Sequence, residues 1–257
     1  MNGTHAVVTG ASAGIGRAIA AALAAEGCAL TLVARRREPL EALAASLPVR
    51  SRVVVHDLGD PTAAAAFLPD AEEALGPIGI LVNNAGLQVV GRTHAIDIAA
   101  AEATVVTNLL SPLRLIHAVL PGMLARGSGA IVNVASMAAL APTPGMTWYN
   151  AGKGGLAAAS EALRGELRGT GVDVLTVYPG IIPETAMAKA ALDKFHGDQL
   201  LVRLQPTGTA EGLAAVVVRA IRRRSARVIW PRANAVARHF PAATRWAMDT
   251  FTPLPET

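Results

Sequence analysis

Cysteine and aromatic residues are scarce in this chain of 257 residues. Its single cysteine, Cys28, excludes an intrachain disulfide and favours a reducing compartment. No cationic neighbour in the sequence would activate this thiol, so we expect a buried structural role for it. Aromatic residues make up only 4% of the chain, although 52% of it is hydrophobic. The interior must therefore be filled mainly by Ala, Val, Leu and Ile, which suits helices packed closely on a parallel sheet.

Charged residues are also few, at 16% of the chain, and they are unevenly distributed. The mean hydropathy of +0.39 excludes a disordered or fibrous protein. A net charge of +4 and a pI near 9.8 would by themselves suit a nucleic-acid binder. However, residues 203–257 hold nine Arg against three acids, whereas residues 1–202 hold fourteen basic and sixteen acidic groups. Because the whole surplus lies in the C-terminal part, we expect no nucleic-acid partner.

The sequence shows neither a targeting segment nor a long uncharged apolar run. The first ten residues lack a charged segment followed by an apolar one. No stretch of about 18 uncharged apolar residues occurs, which argues against a transmembrane helix. We therefore expect a cytoplasmic protein. None of the six histidines is paired at the spacing of metal ligands, so we expect no metal site.

Short runs rich in Val and Ile alternate with longer segments of helical character. The runs are apolar throughout, which indicates a parallel sheet that is buried on both faces. The predicted strands cover residues 5–9, 29–34, 52–56, 79–83, 130–135, 172–178 and 227–230. The predicted helices cover about 14–26, 39–47, 61–75, 99–126, 147–168 and 209–224. We predict one doubly wound α/β domain of the Rossmann type, with about seven strands, over residues 1–231.

Two stretches do not fit this alternation. Residues 181–206 form an apolar insertion, which we expect to fold over the ligand crevice as a substrate lid. Residues 232–257 form a basic C-terminal extension that interleaves arginines with Trp and Phe. Such a composition suits peripheral contact with an anionic membrane. The favoured alternative is that this extension packs on its own domain or on a partner subunit, because Pro241 interrupts any single helix.

A glycine-rich turn follows the first predicted strand and opens a helix. Glycines allow a tight turn and a close backbone approach, so the helix N-terminus can face a pyrophosphate. A lone glycine triplet is as often an ordinary turn. The spacing of Gly10, Gly14 and Gly16 resembles the TGxxxGxG loop of the short-chain dehydrogenases/reductases. The residues predicted to bind a dinucleotide in this loop are Gly10, Ser12, Ala13, Gly14, Ile15 and Gly16.

Arginines, and no acid, follow the second predicted strand. An acid at this place would accept hydrogen bonds from a ribose 2′-hydroxyl, whereas a guanidinium would bind a 2′-phosphate. We therefore predict NADP(H) as the cofactor, with Arg35 as the first choice for the phosphate contact and Arg36 as the second. The alternative is a solvated charge run at the start of a helix.

Polar residues also follow the third and fourth strands. Asp57 and Leu58 end the third, where a carboxylate could accept a hydrogen bond from an adenine amino group. Asp57 taken alone could equally be a helix N-cap before Pro61. The run Asn84, Ala85 and Gly86 ends the fourth strand, in a turn that can present amide and backbone groups to the cofactor.

Tyr149 and Lys153 give the strongest chemical signal. They are four residues apart at the start of a predicted helix, so both side chains point from one face. A nearby ammonium and an oxidised nicotinamide would stabilise the phenolate, which makes Tyr149 a usable general acid or base. Ser136 ends the fifth strand, where a hydroxyl could donate a hydrogen bond to a substrate carbonyl oxygen. Asn108 lies inside a long predicted helix, where its helix propensity is poor.

Taken together, these motifs resemble the short-chain dehydrogenases/reductases of about 250 residues, over residues 3–231. The resemblance implies that Asn108, Ser136, Tyr149 and Lys153 form a catalytic tetrad. Lys153 would then bind the nicotinamide ribose and lower the Tyr149 pKa, and the Asn108 backbone would hold a water in a proton relay. Hydride transfer at the nicotinamide C4 and a homotetramer or homodimer are also implied. Further cofactor contacts would come from Pro179, Gly180 and Ile182.

The sequence departs from the family pattern after Gly180. A threonine that contacts the nicotinamide amide usually stands three residues beyond this glycine. Here Thr185 arrives late, so the family pattern does not assign it this contact. Gly152 occupies a place that a small polar residue commonly takes.

The apolar insertion predicts a hydrophobic substrate. Its inner face would favour an apolar ketone or secondary alcohol, such as a 3-oxoacyl thioester or a steroid-like carbonyl compound. The residues expected to line the pocket are Ile181, Ile182, Met187, Leu192, Phe195, Leu200, Leu201 and Leu204, with Leu140, Met146 and Trp148 across from them. In the alternative, they pack only against the protein itself or a neighbouring subunit. A second function also fits the motifs, namely a non-catalytic NADP-sensing protein on the same fold.

Overall fold

The computed structural model of the protein describes residues 1–195, 206–252 and 254. In these residues one sheet has the strand order β3-β2-β1-β4-β5-β6-β7, and all neighbouring strands pair in parallel. The strands are β1 (His5–Thr9), β2 (Ala29–Ala34), β3 (Ser51–Val55), β4 (Ile78–Asn83), β5 (Gly129–Val134), β6 (Val172–Pro179) and β7 (Arg227–Trp230). The predicted doubly wound parallel sheet is confirmed. Its direction of winding changes between β1 and β4, and the adjoining strand ends there form the crevice in which such folds bind ligands.

Helices cover both faces of the sheet. They are α1 (Gly14–Ala25), α2 (Arg37–Ser46), α3 (Leu68–Leu75), α4 (Ile98–Val105), α5 (Ser111–Arg126), α6 (Thr147–Glu166), α7 (Ala186–Lys194), α8 (Ala210–Arg222), α9 (Val236–His239) and α10 (Pro241–Phe251). One buried cluster joins α1, α2 and α8 to the sheet through side chains such as Ile19, Leu40 and Leu213. A second cluster joins α3 and α5 to the other face through Leu68 and Leu115. Cys28 lies in the first cluster, as expected, and burial raises the pKa of its thiol.

Two predicted helices differ from the observed ones. The segment 61–75 becomes helical only from Leu68, because Asp60 accepts hydrogen bonds from the backbone and hydroxyl of Thr62 and starts a series of turns. The segment 99–126 is interrupted by a π-helical turn over Val106–Leu110. Helical residues Ile98–Arg126 together are long and apolar enough to cross a membrane by length and composition. Their inner side chains, including Leu115, Val119 and Met123, are nevertheless buried against the sheet, as in a core helix.

The described parts of the two stretches that broke the alternation contribute to the crevice at the carboxyl ends of the strands. The insertion begins with Ile181, which forms an isolated bridge with Thr207, and continues into α7. Leu200, Leu201 and Leu204 of the predicted lid lie outside the described residues. The C-terminal extension contains a 3-10 turn (Arg232–Ala235) and the helices α9 and α10, separated by Phe240 before Pro241. No described residue of α7, α9 or α10 is buried in the core.

Candidate active site

A crevice of about 1020 Å³ opens at the carboxyl edge of the sheet. It collects the loops that follow the first six strands, as the sequence predicts. The predicted site residues that line it are Gly10, Ser12, Ala13, Gly14, Ile15, Arg35, Arg36, Asp57, Leu58, Asn84, Ala85, Gly86, Ser136, Tyr149, Lys153, Pro179, Gly180 and Ile182. Two predicted residues, Gly16 and Asn108, are not part of its lining. They pack behind it and support the residues that are.

The glycine-rich loop is shaped by contact with the end of β4. Gly10 has φ +68°, and a Cβ there would lie 2.7 Å from Asn84 Nδ2. A Cβ at Gly16 would overlap the carbonyl oxygen of Gly10, so Gly16 serves close packing and not ligand contact. Helix α1 then starts without a side-chain cap and without an acid in its first turn. The first N–H groups of a helix have no intrahelical partner, so this end of α1 is suited to an anion.

Thr9 holds this loop in place, a role that the sequence reasoning missed. Its side chain is buried, and its hydroxyl accepts hydrogen bonds from the backbone N–H groups of Asn84 and Ala85, each at 3.0 Å. The same hydroxyl donates to the carbonyl of Val82 at 3.2 Å. In return, Asn84 Nδ2 donates to the Thr9 carbonyl at 2.9 Å. Asn84 therefore braces β1 against β4 while it lines the crevice.

The three arginines after β2 have different environments. Arg37 pairs with Glu41 one helical turn later, at 3.3 Å. Arg36 donates to the Ser12 hydroxyl at 3.3 Å, which brings its guanidinium to the glycine-rich loop. Arg35 and Arg36 both line the crevice, whereas Arg37 does not. The structure thus separates two arginines that face the ligand side from one that belongs to α2.

Asp57 and Leu58 form the turn after β3. The Asp57 carboxylate accepts a hydrogen bond from the N–H of Gly59 at 2.9 Å, and no helix begins near it. The N-cap interpretation of Asp57 is therefore wrong. The Leu58 side chain is buried, and its carbonyl accepts from the Ser111 hydroxyl at 2.7 Å, which ties the turn to α5.

Tyr149 and Lys153 lie on the first turns of α6 with exposures of only 6% and 3%. Lys153 Nζ donates to the carbonyl of Val134, the last residue of β5, at 2.8 Å. Burial lowers the pKa of Lys153 to about 8. Burial also raises the pKa of Tyr149, and the neighbouring Ser136 hydroxyl opposes this only in part. Burial is therefore the larger influence on the Tyr149 pKa, and the lowering by Lys153 that the family resemblance implies stays a prediction.

Ser136 and Asn108 complete the predicted tetrad in different ways. The Ser136 hydroxyl accepts from the N–H of Ala138 at 3.1 Å and lies at the crevice beside Tyr149. Asn108 is fully buried in the π-helical turn, and its side-chain amide both accepts from Leu87 N at 2.9 Å and donates to Leu87 O at 2.8 Å. Its side chain thus fixes the loop after β4. The water that its backbone would hold stays a prediction.

Two glycines let these groups approach one another. A Cβ at Gly86 would lie 3.0 Å from Asn108 Oδ1 and 3.3 Å from Lys153 Nζ. A Cβ at Gly152 would lie 2.9 Å from Asn108 Cβ. The absence of a polar side chain at Gly152 therefore has a packing reason, since α6 contacts the π-helical turn at this point.

The remaining walls of the crevice are mostly apolar. Tyr149 packs with Ala138 and Met146, and Val90 and Phe195 pack against this cluster. The residues of the predicted lid that line the crevice are Ile181, Ile182, Met187, Leu192 and Phe195. The prediction is wrong for Leu140, which packs near Tyr178. It is also wrong for Trp148, which does not line the crevice, because neighbouring residues of a helix point in different directions.

Thr185 contributes although it arrives late in the sequence. It caps α7 by accepting from the N–H of Ala188 at 3.2 Å, and it lines the crevice. Its methyl group faces the glycine-rich loop, since a Cβ at Gly14 would lie 3.2 Å from Thr185 Cγ2. The start of α7 therefore lies beside the predicted phosphate site.

Comparison with known proteins identifies the family. The family model described as short chain dehydrogenase matches residues 4–195. The chain belongs to the short-chain dehydrogenase family. Short-chain dehydrogenases are oxidoreductases that act on CH–OH groups with a nicotinamide cofactor, and the motifs and strand ends described above are those expected of one.

Individual short-chain dehydrogenases are similar over most of the chain. The ketoacyl reductase HetN of Nostoc sp. is 32% identical over 89% of this chain and 79% of its own length. The very-long-chain 3-oxoacyl-CoA reductase of Anas platyrhynchos is 34% identical over 75% of this chain, which spans 64% of that relative. A short-chain dehydrogenase structure from Streptomyces avermitilis has a TM-score of 0.82 at 30% identity and covers 96% of both chains. The NAD⁺-bound xylitol dehydrogenase has a TM-score of 0.80 at 26% identity, covering 89% of this chain and 98% of that one.

The crevice of this short-chain dehydrogenase fits a nicotinamide dinucleotide. The uncapped end of α1, the glycines that admit a close approach, and the polar turns after β3 and β4 provide contacts along an extended ligand. Among the described residues, no group of three or more His, Cys, Asp or Glu could hold a metal ion. For the chain as a whole, the expectation that it has no metal site stays a prediction.

Proposed function

We propose that this protein is an NADP(H)-dependent oxidoreductase that interconverts a ketone and a secondary alcohol on a hydrophobic substrate. One observation carries the proposal. A buried Tyr149–Lys153 pair and the Ser136 hydroxyl lie together at the wall of a crevice whose outer part is apolar. A buried phenol and ammonium are costly to maintain, which favours a chemical role over a purely structural one.

The residues suggest how the protein assists carbonyl reduction. The nicotinamide supplies the hydride when it is bound. Ser136 donates a hydrogen bond to the substrate carbonyl oxygen and stabilises the charge that develops there. Tyr149, which burial keeps protonated, donates its proton to the same oxygen, so that one hydride and one proton give the alcohol. Lys153 binds the cofactor ribose and stabilises the resulting phenolate by its positive charge.

The choice of NADP(H) over NAD(H) rests on Arg35 and Arg36. Both line the crevice after β2, where the ribose 2′ position is expected, and the Arg36–Ser12 contact joins this place to the glycine-rich loop. The similar xylitol dehydrogenase structure holds NAD⁺. The arginines of this chain are thus the feature that sets the expected preference.

A 3-oxoacyl thioester is the substrate class that the relatives favour. Two of them are named as a ketoacyl reductase and a 3-oxoacyl-CoA reductase. The walls formed by Met146, Met187, Leu192 and Phe195 suit an acyl chain or another apolar body, such as a steroid-like ketone.

The experiment that tests the proposal is a substrate screen with purified protein. Oxidation of NADPH and of NADH is followed with apolar ketones and 3-oxoacyl thioesters. We expect turnover with NADPH, and a loss of about 10²- to 10⁴-fold in kcat/KM for Tyr149→Phe with unchanged NADPH binding. The absence of turnover across the panel, or full activity in Tyr149→Phe, would contradict the proposal. Stoichiometric NADPH binding without oxidation would instead favour a sensing protein.

We also infer a homodimer or homotetramer. Ile98, Leu110 and Leu124 are more than two-fifths exposed along the long helical stretch α4–α5, where a second subunit would bury them. Sedimentation velocity on the full chain tests this inference. Membrane contact through the C-terminal extension stays a prediction, which co-sedimentation with anionic vesicles tests.

A further inference from the structure

The C-terminal helix α10 presents two different faces. Ala247, Met248 and Phe251 line the crevice, as expected for side chains that share one face of a helix. Arg245 and Trp246 are exposed and do not line the crevice, although the Trp246 ring packs edge-on against Phe251 with ring centroids 5.5 Å apart. Helix α10 therefore presents an apolar face to the crevice, although in the sequence it lies beyond the last strand of the sheet.

The crevice-lining face of α10 is not part of the hydrophobic core. No residue of α10 is buried, and Phe251 is 50% exposed although it lies at the crevice. The lid helix α7 shows the same property, since none of its residues is buried and Met187 is 37% exposed. Two helices from distant parts of the chain thus offer half-covered apolar side chains to one cavity. A long apolar ligand would cover both.

We propose that α10 is a specificity-determining wall that holds the distal part of an elongated apolar substrate, with Met248 and Phe251 as its contact residues. This inference rests on the proposed function and defines the substrate class more closely. Tyr149 and its apolar neighbours Met146 and Phe195 hold the reacting end, and α10 adds further apolar surface to the same crevice. Each further methylene group that becomes buried should raise kcat/KM about fourfold, until the chain passes the wall.

A chain-length series measures this effect. Thioesters of N-acetylcysteamine from 3-oxobutanoyl to 3-oxododecanoyl are reduced with NADPH by the full-length protein. We expect kcat/KM to rise with chain length in the unchanged protein. Met248→Ala and Phe251→Ala should lower it about tenfold for the longest chain and leave the shortest within about twofold. Met248→Trp, which fills the space, should shift the preferred length to shorter chains.

The matched control lies on the same helix. Arg245→Ala should leave the whole length profile unchanged, because its side chain is exposed and does not line the crevice. Thermal unfolding and NADPH binding, measured for every variant, show whether the fold and the cofactor site are intact. The inference is overturned if folded Met248 and Phe251 variants give the unchanged profile, or if they lose activity equally at all lengths.

A binding measurement separates this inference from the proposed function. If no thioester and no apolar ketone of the panel is reduced, the proposed function fails, and titration calorimetry of 2-dodecanone into NADP⁺-loaded protein then tests the wall alone. Binding that weakens about tenfold in Phe251→Ala and not in Arg245→Ala supports the wall. Equal binding to all three proteins, or none to any, refutes it.

Discussion

At the scale of single residues, the arginines after β2 offer an internal comparison. Arg35 and Arg36 line the crevice, while their neighbour Arg37 is paired with Glu41 on α2. Hydrogen bonds to a charged phosphate are worth about 1.5–3 kcal/mol each. We expect Arg35→Ser and Arg36→Ser each to lower kcat/KM for NADPH by about 10- to 100-fold and to change that for NADH little. Steady-state kinetics with both cofactors give the result.

Arg37→Ser is the matched control, since it removes the same charge one position later. Its expected effect on the NADPH-to-NADH preference is less than about twofold, because Arg37 does not line the crevice and pairs with Glu41 on α2. An equal loss of preference in all three variants would mean that overall charge, and not contact with the 2′-phosphate, sets the cofactor choice.

The pKa of Lys153 predicts a pH dependence. Burial lowers this pKa from 10.5 to about 8. Below pH 8 the ammonium is present and can stabilise the phenolate that Tyr149 becomes on donating its proton. Above pH 8 the ammonium is lost, so kcat/KM for ketone reduction should fall as the pH rises through about 8. Pre-equilibrated rate measurements across this range show the inflexion.

Lys153→Arg tests the assignment, because a guanidinium remains charged throughout this range. We expect the inflexion near pH 8 to disappear, whatever activity remains.

The pH dependence of protein stability gives a second measurement of the Lys153 titration, one that does not depend on turnover. The unfolded chain keeps its proton up to about pH 10.5 while the folded protein loses it near pH 8, so the free energy of unfolding should rise between these values. A flat stability profile would place the titration elsewhere.

At the scale of elements, Thr9 connects the ends of β1 and β4. Its hydroxyl serves two backbone N–H groups and one carbonyl, and these bonds hold the glycine-rich loop against Asn84. Thr9→Val keeps the shape and removes all three bonds. We expect a loss of about 2 kcal/mol in the free energy of unfolding, together with weaker NADPH binding. Urea unfolding measures the free energy of unfolding, and fluorescence titration measures the NADPH affinity.

Thr9→Ser restores the hydroxyl and loses only a methyl group, so it should keep most of the NADPH affinity. If Thr9→Val binds NADPH as tightly as the unchanged protein, the loop does not depend on this connection.

A threonine at a strand end is common, and nothing in the sequence distinguishes one whose hydroxyl bridges two strands. This is why the role of Thr9 could not be predicted, although the adjacent glycines could.

The elements themselves were predictable to different degrees. The buried strands could be located to within one residue at each end, because continuous Val- and Ile-rich runs between turns leave little choice of pairing. The π-helical turn at Val106–Leu110 could not, since it depends on the fit of Asn108 to the Leu87 backbone, a tertiary contact. The position of α10 over the crevice likewise depends on long-range packing that the composition of the tail does not reveal.

At the scale of the whole molecule, the parallel sheet gathers the site. Every strand runs in the same direction, so residues separated by more than a hundred positions, such as Gly10 and Tyr149, line one crevice. This arrangement explains why a list of strand-end residues was a good prediction of the crevice lining. It fails for Gly16 and Asn108, because a residue can serve the site by supporting its neighbours from behind.

The stability of the molecule should depend on pH through His5. This buried side chain in β1 contacts the Gly76 carbonyl at 2.7 Å and the Thr31 hydroxyl at 2.9 Å. Burial lowers its pKa below the ordinary 6.5, and the Gly76 carbonyl and Glu72 oppose this only in part. As the pH falls below about 6.5, the unfolded chain takes up a proton that the folded protein resists, so the free energy of unfolding decreases. Urea unfolding between pH 7.5 and 5 should show this decrease in the free energy of unfolding. His5→Gln should be less stable than the unchanged protein at pH 7.5, and its free energy of unfolding should depend less steeply on pH. Substitution of the exposed His94 by Gln should leave the slope unchanged; equal slopes in all three proteins would mean that other groups govern stability in acid.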